Sequence, residues 1–200
     1  MLLRRVLVVV ALLCVAACTD DRSSLPDQAG PTVAATLKAA FTRTQTALTW
    51  TYTLRNDELE AIAVFSGSEE SSVSAGAWVV PRDDDTIEVS QRLFAQPANV
   101  GLARPHTQFG TILRPGASLS GSATVLLPLR VAHPYGFAFE PPLQLPSDAD
   151  GMVFCVGMAR AKDFPPAGDD AAPSDAGTAN YVHAGGSRQH LACAPTQPAP

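Results

Sequence analysis

Alternation of apolar and polar residues dominates the middle of the chain and is typical of β-strands. Its clearest case is Leu48–Leu54, in which large apolar residues at every second position are separated by threonines. Successive side chains of an extended chain point to opposite faces, so this segment has one apolar face and one polar face. We expect a half-buried antiparallel strand here.

Further strands are expected between turns at Asn56-Asp57, Asp83–Asp85 and Leu113–Gly116, whose residue types favour tight reversals. Ala61–Phe65 is expected to be the strand that returns beside Leu48–Leu54. Thr86–Phe94 is another expected strand, in which Ile87, Val89 and Leu93 alternate with Glu88, Ser90 and Arg92. The remaining alternating segments are Ala77–Val80 and the run through Leu119, Gly121, Ala123, Val125, Leu127 and Leu129.

Two segments depart from simple alternation. Met152–Met158 is apolar at odd and even positions alike, which predicts a central strand covered on both faces. Val33, Leu37 and Phe41 fall at four-residue steps among alanines. That spacing predicts either a short helix or the approach to the first strand.

Several short strands separated by turns, without a convincing long helix, predict an all-β fold. The expected architecture is an antiparallel β-sandwich, immunoglobulin-like by pattern alone, with long loops rich in Pro, Gly and Asp. The Cys–Trp–Cys spacing of antibody domains is absent from the sequence. The long loops include the proline-rich His133–Pro146 and Ala161–Ser187, which we expect to be a mobile excursion.

The N-terminus has a different composition. Met1–Cys18 contains two arginines, an apolar run from Val6 to Val15, and small residues before a cysteine. A membrane-spanning helix needs roughly 20 apolar residues, and this run is shorter. A cleaved signal peptide is therefore favoured over an anchor helix, although an ordinary secretory signal can end in the same Ala16-Ala17 pair.

The residues Val15-Ala16-Ala17-Cys18 resemble the lipobox of bacterial lipoprotein precursors. The resemblance implies cleavage before Cys18 and acylation of that cysteine, which anchors such proteins to a membrane. In that family, aspartate directly after the cysteine favours the inner membrane. Here that position is Thr19, so the resemblance implies the outer membrane, facing the periplasm. It implies nothing about the mature domain.

These boundaries give a signal peptide over 1–17, a lipidated N-terminus and flexible linker over 18–31, one domain over 32–194 and a disordered tail over 195–200. The chain has 14 basic and 19 acidic residues, and the signal peptide removes two arginines. An acidic mature chain argues against nucleic acid as a partner, because that binding depends on clustered basic residues. Attachment to a membrane must then come from the lipid.

The four cysteines have different expected fates. Cys14 leaves with the signal peptide and Cys18 is the predicted lipidation site. Cys155 and Cys193 remain, and in an oxidising compartment such a pair predicts a structural disulfide. A redox-active dithiol is the alternative, but no C-x-x-C spacing supports it.

One segment is a candidate binding surface. Tyr135, Phe137 and Phe139 alternate within the proline-rich stretch. On an edge strand or loop they would share one face and form an apolar patch suited to a peptide or glycan. The alternative is that this face covers the open end of the sandwich, because large aromatic side chains dominate protein cores.

No catalytic residue, metal site or cofactor is predicted. The sequence lacks the G-x-S-x-G and S-x-x-K motifs of serine hydrolases. Asp83–Asp85 and Asp148–Asp150 offer carboxylates for weak calcium binding, but not the spaced oxygen ligands of a recognised calcium loop. The candidate bases, spread over loops, are His106, His133, His183 and His190.

The expected function is therefore a lipid-anchored, non-enzymatic envelope protein that acts as a binding or assembly module for an envelope protein or a glycan. A second hypothesis is an accessory inhibitor or subunit of a periplasmic protease or secretion machine, with Tyr135–Pro146 or the acidic excursion as the inserted element. A third hypothesis is a periplasmic hydrolase with an unrecognised site. No motif decides among them.

Overall fold

The computed structural model describes residues 30–66, 76–97, 100–102, 106–164, 178–182 and 188–200. The predicted signal peptide and Cys18 lie outside these residues. No helix in the described part is long and apolar enough to cross a membrane. The strands are β1 (Ala35–Arg43), β2 (Ala47–Asn56), β3 (Ile62–Phe65), β4 (Trp78–Pro81), β5 (Thr86–Gln91), β6 (Thr107–Leu113), β7 (Ser118–Leu126), β8 (Gly151–Arg160), β9 (Thr178–Val182) and β10 (His190–Cys193).

A small sheet contains three antiparallel strands in the order β1-β2-β7. Phe41 lies opposite Trp50, and Trp50 lies opposite Ala123. The helical alternative for the segment from Val33 to Phe41 is wrong. Its partly buried residues alternate along β1 and pack against the core, as strand geometry requires.

A large sheet has the order β4-β5-β8-β3-β6-β9, and β10 also pairs with β8. Most of its pairs are antiparallel, but β5 and β8 are parallel, with Thr86 opposite Gly151 and Gln91 opposite Val156. The expectation of a purely antiparallel sandwich is wrong at this pair. Parallel neighbours need a long crossover, and the chain between β5 and β8 supplies one through β6 and β7.

The chain changes sheet after β2, which corrects the expected pairing of Ala61–Phe65. Strand β3 pairs with β6 and β8 of the large sheet and not with β2. The buried Asn56 holds this crossing, because its Nδ2 donates to the carbonyls of Glu60 and Leu113, both at 2.9 Å. Its Oδ1 accepts the amide of Glu58 at 2.9 Å.

The two sheets pack face to face around an apolar core, which confirms an all-β, sandwich-like fold. Phe154 of β8 is fully buried at its centre. The ring centroid of Phe154 lies 5.8 Å from that of Trp50 and 5.3 Å from that of Tyr52, both on β2. The immunoglobulin-like arrangement stays a prediction.

Strand β8 is the central strand that the sequence predicted. Met158 pairs with Val64 of β3 and with His190 of β10, so those strands lie on opposite sides of β8. Cys155 and Cys193 face each other across β8 and β10 and form the predicted disulfide.

The C-terminal tail also follows β8. Gln197 exchanges two backbone hydrogen bonds of 2.7 Å with Met152. The prediction of a disordered tail over 195–200 is therefore wrong at Gln197. That prediction rests on the polar, proline-rich composition of the tail. Composition does not show that β8 has backbone groups at Met152, left unpaired beyond the end of β10, to which the tail can bond.

The large sheet is also covered on its outer face, where two further apolar clusters lie. One contains Phe65, Leu93 and Tyr181, and the other contains Trp78 and Tyr135. Tyr181 belongs to β9, which pairs with β6. The expectation of a mobile excursion over 161–187 is therefore wrong at Thr178–Val182, because this segment is a strand of the sheet and its Tyr181 is buried against Phe65.

Candidate functional site

The predicted aromatic surface does not exist as one face. Tyr135 is fully buried, Phe137 is 69% exposed, and Phe139 is partly buried against the cluster of Trp78 and Tyr135. The residues Gly136–Ala138 form a 3-10 turn. In a turn of this kind, residues two apart do not point the same way as they do in a strand, so the prediction of a shared patch is wrong.

A buried ion pair lies on the outer face of the large sheet. The Arg92 Nε lies 3.0 Å from Glu88 Oε1, and both side chains are almost completely buried. The Arg92 guanidinium also lies over the Phe94 ring, 4.2 Å from its centroid. Burial lowers the pKa of Arg92, while the charge of Glu88 opposes that shift. Glu88, Ser90 and Arg92 alternate with apolar residues in the sequence, yet all three are buried, because the segments after β5 and β7 cover them.

His133 packs beside Arg92 and Phe94 on the outer face of the large sheet. Its ring centroid lies 4.3 Å from that of Phe94 and 5.0 Å from that of Phe139. Its Nδ1 accepts the backbone amide of Tyr135 at 3.0 Å. Burial, reinforced by the positive charge of Arg92, lowers the pKa of His133 to about 3. The ring is therefore neutral at ordinary pH.

The other candidate bases are dispersed. His106 contacts the ring of Tyr135 at 5.3 Å between centroids, His190 lies on β10, and His183 lies outside the described residues. The two acidic turns come side by side, since the amide of Asp150 donates to the carbonyl of Asp85 at 3.1 Å. Within the described ranges, however, no three His, Cys, Asp or Glu side chains are grouped to hold a metal ion.

The small sheet offers a different kind of surface. The side chains on its outer face point away from the core and are mostly short and hydroxylated. These outward positions are Thr36, Lys38, Ala40 and Thr42 of β1, Thr49, Thr51, Thr53 and Arg55 of β2, and Ser118, Ser120, Ser122, Thr124 and Leu126 of β7. We call this surface the hydroxyl face.

Strand register arranges the hydroxyl groups in rows across the sheet. Thr49 and Thr124 are paired, and their hydroxyl oxygens are 3.0 Å apart. Thr53 and Ser120 are paired in the same way at 3.2 Å. Cross-strand pairs of this type stabilise a sheet modestly. They also hold the hydroxyl groups at fixed positions towards solvent.

A shallow depression of about 500 Å³ lies on this face and spans all three strands. Thr51 and Thr53 of β2, Ser120 of β7 and Lys38 of β1 contribute to its lining. Lys38 has no ion-pair partner among the residues that the structure describes. The depression thus combines several neutral hydroxyl groups with one cation.

Sequence reasoning identified the alternating threonines of β2 but did not treat them as a site. The alternating serines of β7 were the second part of the signal, and the pairing of β2 with β7 was the missing fact. Comparison with known proteins finds no matching family model, no matching curated protein and no matching solved structure.

Proposed function

We propose that this protein is a lipid-anchored, non-enzymatic binding module of the bacterial envelope, and that the hydroxyl face binds a glycan. The observation that carries the proposal is the depression lined by Lys38, Thr51, Thr53 and Ser120. The predicted lipobox supports the location, since acylation at Cys18 would hold the domain at the outer membrane, facing the periplasm.

The chemistry of the face favours a glycan over an apolar partner. Hydroxyl groups of serine and threonine both donate and accept hydrogen bonds, as do the hydroxyl groups of sugars. Thr51 and Ser122 are exposed and paired with each other in the register, and their hydroxyl groups form no hydrogen bond within the described residues. A polar partner can therefore bind them without breaking an existing bond.

Charge narrows the class of glycan. Arg55 is ion-paired to Asp57 at 3.4 Å, so among the described residues of the hydroxyl face Lys38 is the cation that remains for a ligand. A carboxylate attached to a sugar would pair with Lys38 while the sugar hydroxyl groups contact Thr51 and Thr53. Cell-wall glycan, whose sugars and attached peptides together carry carboxylates, has this chemistry.

The full chain can be tested by cosedimentation with purified cell-wall sacculi. Thr51→Val removes a hydroxyl group and keeps the β-branched shape, while Lys38→Gln removes the charge. Each lost hydrogen bond is expected to weaken binding by about 1 kcal/mol, or about fivefold. Lys162→Gln is the matched control, because this exposed lysine lies outside the small sheet. Equal binding by all four proteins would refute the glycan site.

Anchoring needs a separate test. Cys18→Ser removes the predicted acylation site, so the protein is expected to appear in the soluble periplasmic fraction instead of the membrane fraction. Retention of this variant in the membrane, with unchanged processing, would contradict the lipoprotein proposal and leave the glycan site untouched.

A further inference from the structure

The exposed edges of the two sheets are protected to different degrees. In the large sheet, β4 has four residues, ends at Pro81 and is bridged by Ala132, whose backbone exchanges two hydrogen bonds with Val79. In the small sheet, β1 carries Lys38 and Arg43 and has β10 beside it. Short length, proline, lysine and a covering segment are the usual ways in which proteins block strand addition.

Strand β7 lacks these protections, and within the described residues only the Gln91 side chain donates a hydrogen bond to its free edge. The strand is nine residues long, contains no charged residue and no proline, and pairs with β2 residue for residue without a bulge. Leu126, at its end, is 60% exposed. A long, regular and uncharged edge of this kind is a template for another strand.

The backbone groups of β7 that point away from β2 can be identified from the register. Ala117 accepts the amide of Asn56, and the amide of Leu127 donates to Thr46, both at 2.9 Å. The odd-numbered residues therefore face β2, and alternation turns the even-numbered N–H and C=O groups to the free edge. Of the groups on this edge, the carbonyl of Ser122 accepts Gln91 Nε2 at 3.2 Å. No other hydrogen bond to this edge comes from the described residues.

We propose that this edge pairs with β7 of a second copy of the chain, antiparallel and with the two-fold axis at Ser122. The Ser122 carbonyl, which already accepts Gln91 Nε2, accepts the Ser122 amide of the second copy through its other lone pair. In this register Ser120 lies opposite Thr124 of the second copy, which repeats the hydroxyl pairs already present within the sheet. On the core side, Leu119 lies opposite Val125. No charge is brought against a like charge, which favours a second copy over a charged partner.

The dimer would join two small sheets into one continuous six-stranded sheet and place two hydroxyl faces side by side. It goes beyond the proposed glycan site, because it involves the edge of the sheet and needs no ligand. Anchoring of both copies in one membrane would favour it by raising their local concentration. Two linked glycan sites would then bind a polymer more tightly than one.

Cross-linking of the full chain in detergent tests the pairing. Ser122→Cys places two thiols across the proposed axis, and oxidation is expected to yield a covalent dimer. Thr53→Cys is the control, since it lies on the same face but one strand further from the axis on each side. Failure of Ser122→Cys to cross-link above the unsubstituted chain, or equal cross-linking of Thr53→Cys, would overturn the proposal.

A second variant separates loss of pairing from loss of folding. The amide of Ser122 points to the free edge, so Ser122→Pro removes no hydrogen bond to β2. We expect an unchanged circular dichroism spectrum and at least a tenfold rise in the dimer dissociation constant, measured by light scattering. A monomeric unsubstituted chain, or a folded Ser122→Pro variant that dimerises as before, would contradict the proposal.

Discussion

On the outer face of the large sheet, Glu88 and Arg92 are buried beneath covering segments, whereas on the outer face of the small sheet Thr51 and Ser122 are exposed. Both sets of residues alternate with apolar neighbours. The difference lies in what covers them, since segments after β5 and β7 pack over the large sheet and nothing in the described chain packs over the small one. Polar residues on the first face affect stability, and those on the second are available to a partner.

The largest effect is expected where the two sheets meet. Phe154→Ala removes the ring that contacts Trp50 and Tyr52. Truncation of a buried aromatic residue costs about 3 to 5 kcal/mol of unfolding free energy. Chemical denaturation measures it, and a loss below about 1 kcal/mol, the level of a surface change, would contradict a shared core at this residue.

The buried ion pair comes next. Glu88→Leu leaves Arg92 buried without its partner, which is expected to cost about 3 kcal/mol of unfolding free energy. The double variant, Glu88→Leu with Arg92→Met, replaces both charges by apolar groups and is expected to recover most of that loss. Denaturation of both variants checks this, and an undiminished loss in the double variant would show that the charges are not coupled.

The burial of His133 among the covering segments is expected to make stability depend on pH. The pKa of His133 in the folded protein is lowered to about 3 from an ordinary value of 6.5. Below pH 6.5 the unfolded chain therefore takes up a proton that the folded protein does not, and stability falls as the pH decreases towards 3. His133→Asn keeps an acceptor for the Tyr135 amide and is expected to flatten this slope by up to about 1.4 kcal/mol per pH unit. An unchanged slope would contradict a buried, neutral ring.

The smallest effect is expected at Phe137, which projects into solvent. Phe137→Ser is expected to change the unfolding free energy by no more than about 0.5 kcal/mol, because exposed side chains contribute little. Tyr135→Ala, two residues earlier, removes a fully buried ring and is expected to cost far more. Similar melting temperatures for the two variants would contradict their opposite environments.

Alternation predicted β2 and β7 well, because one face of each packs on the core and the other stays in solvent. In Thr86–Phe94 alternation predicted the strand β5 but not the burial of Glu88 and Arg92, since a polar residue under a covering loop has the same local sequence as one in water. The parallel pairing of β5 with β8 was equally hidden, because it depends on the path of the chain between them. Of the candidate site, the hydroxyl-bearing residues were visible and their alignment into one face was not.

The proposed binding surface lies on the small sheet. Titration of the isotope-labelled full chain with soluble fragments of cell-wall glycan, followed by NMR, locates the surface that binds the glycan. We expect chemical-shift changes confined to β1, β2 and β7, largest around Lys38, Thr51 and Ser120. Changes centred on the large sheet, or none at millimolar glycan, would contradict a binding surface on the small sheet.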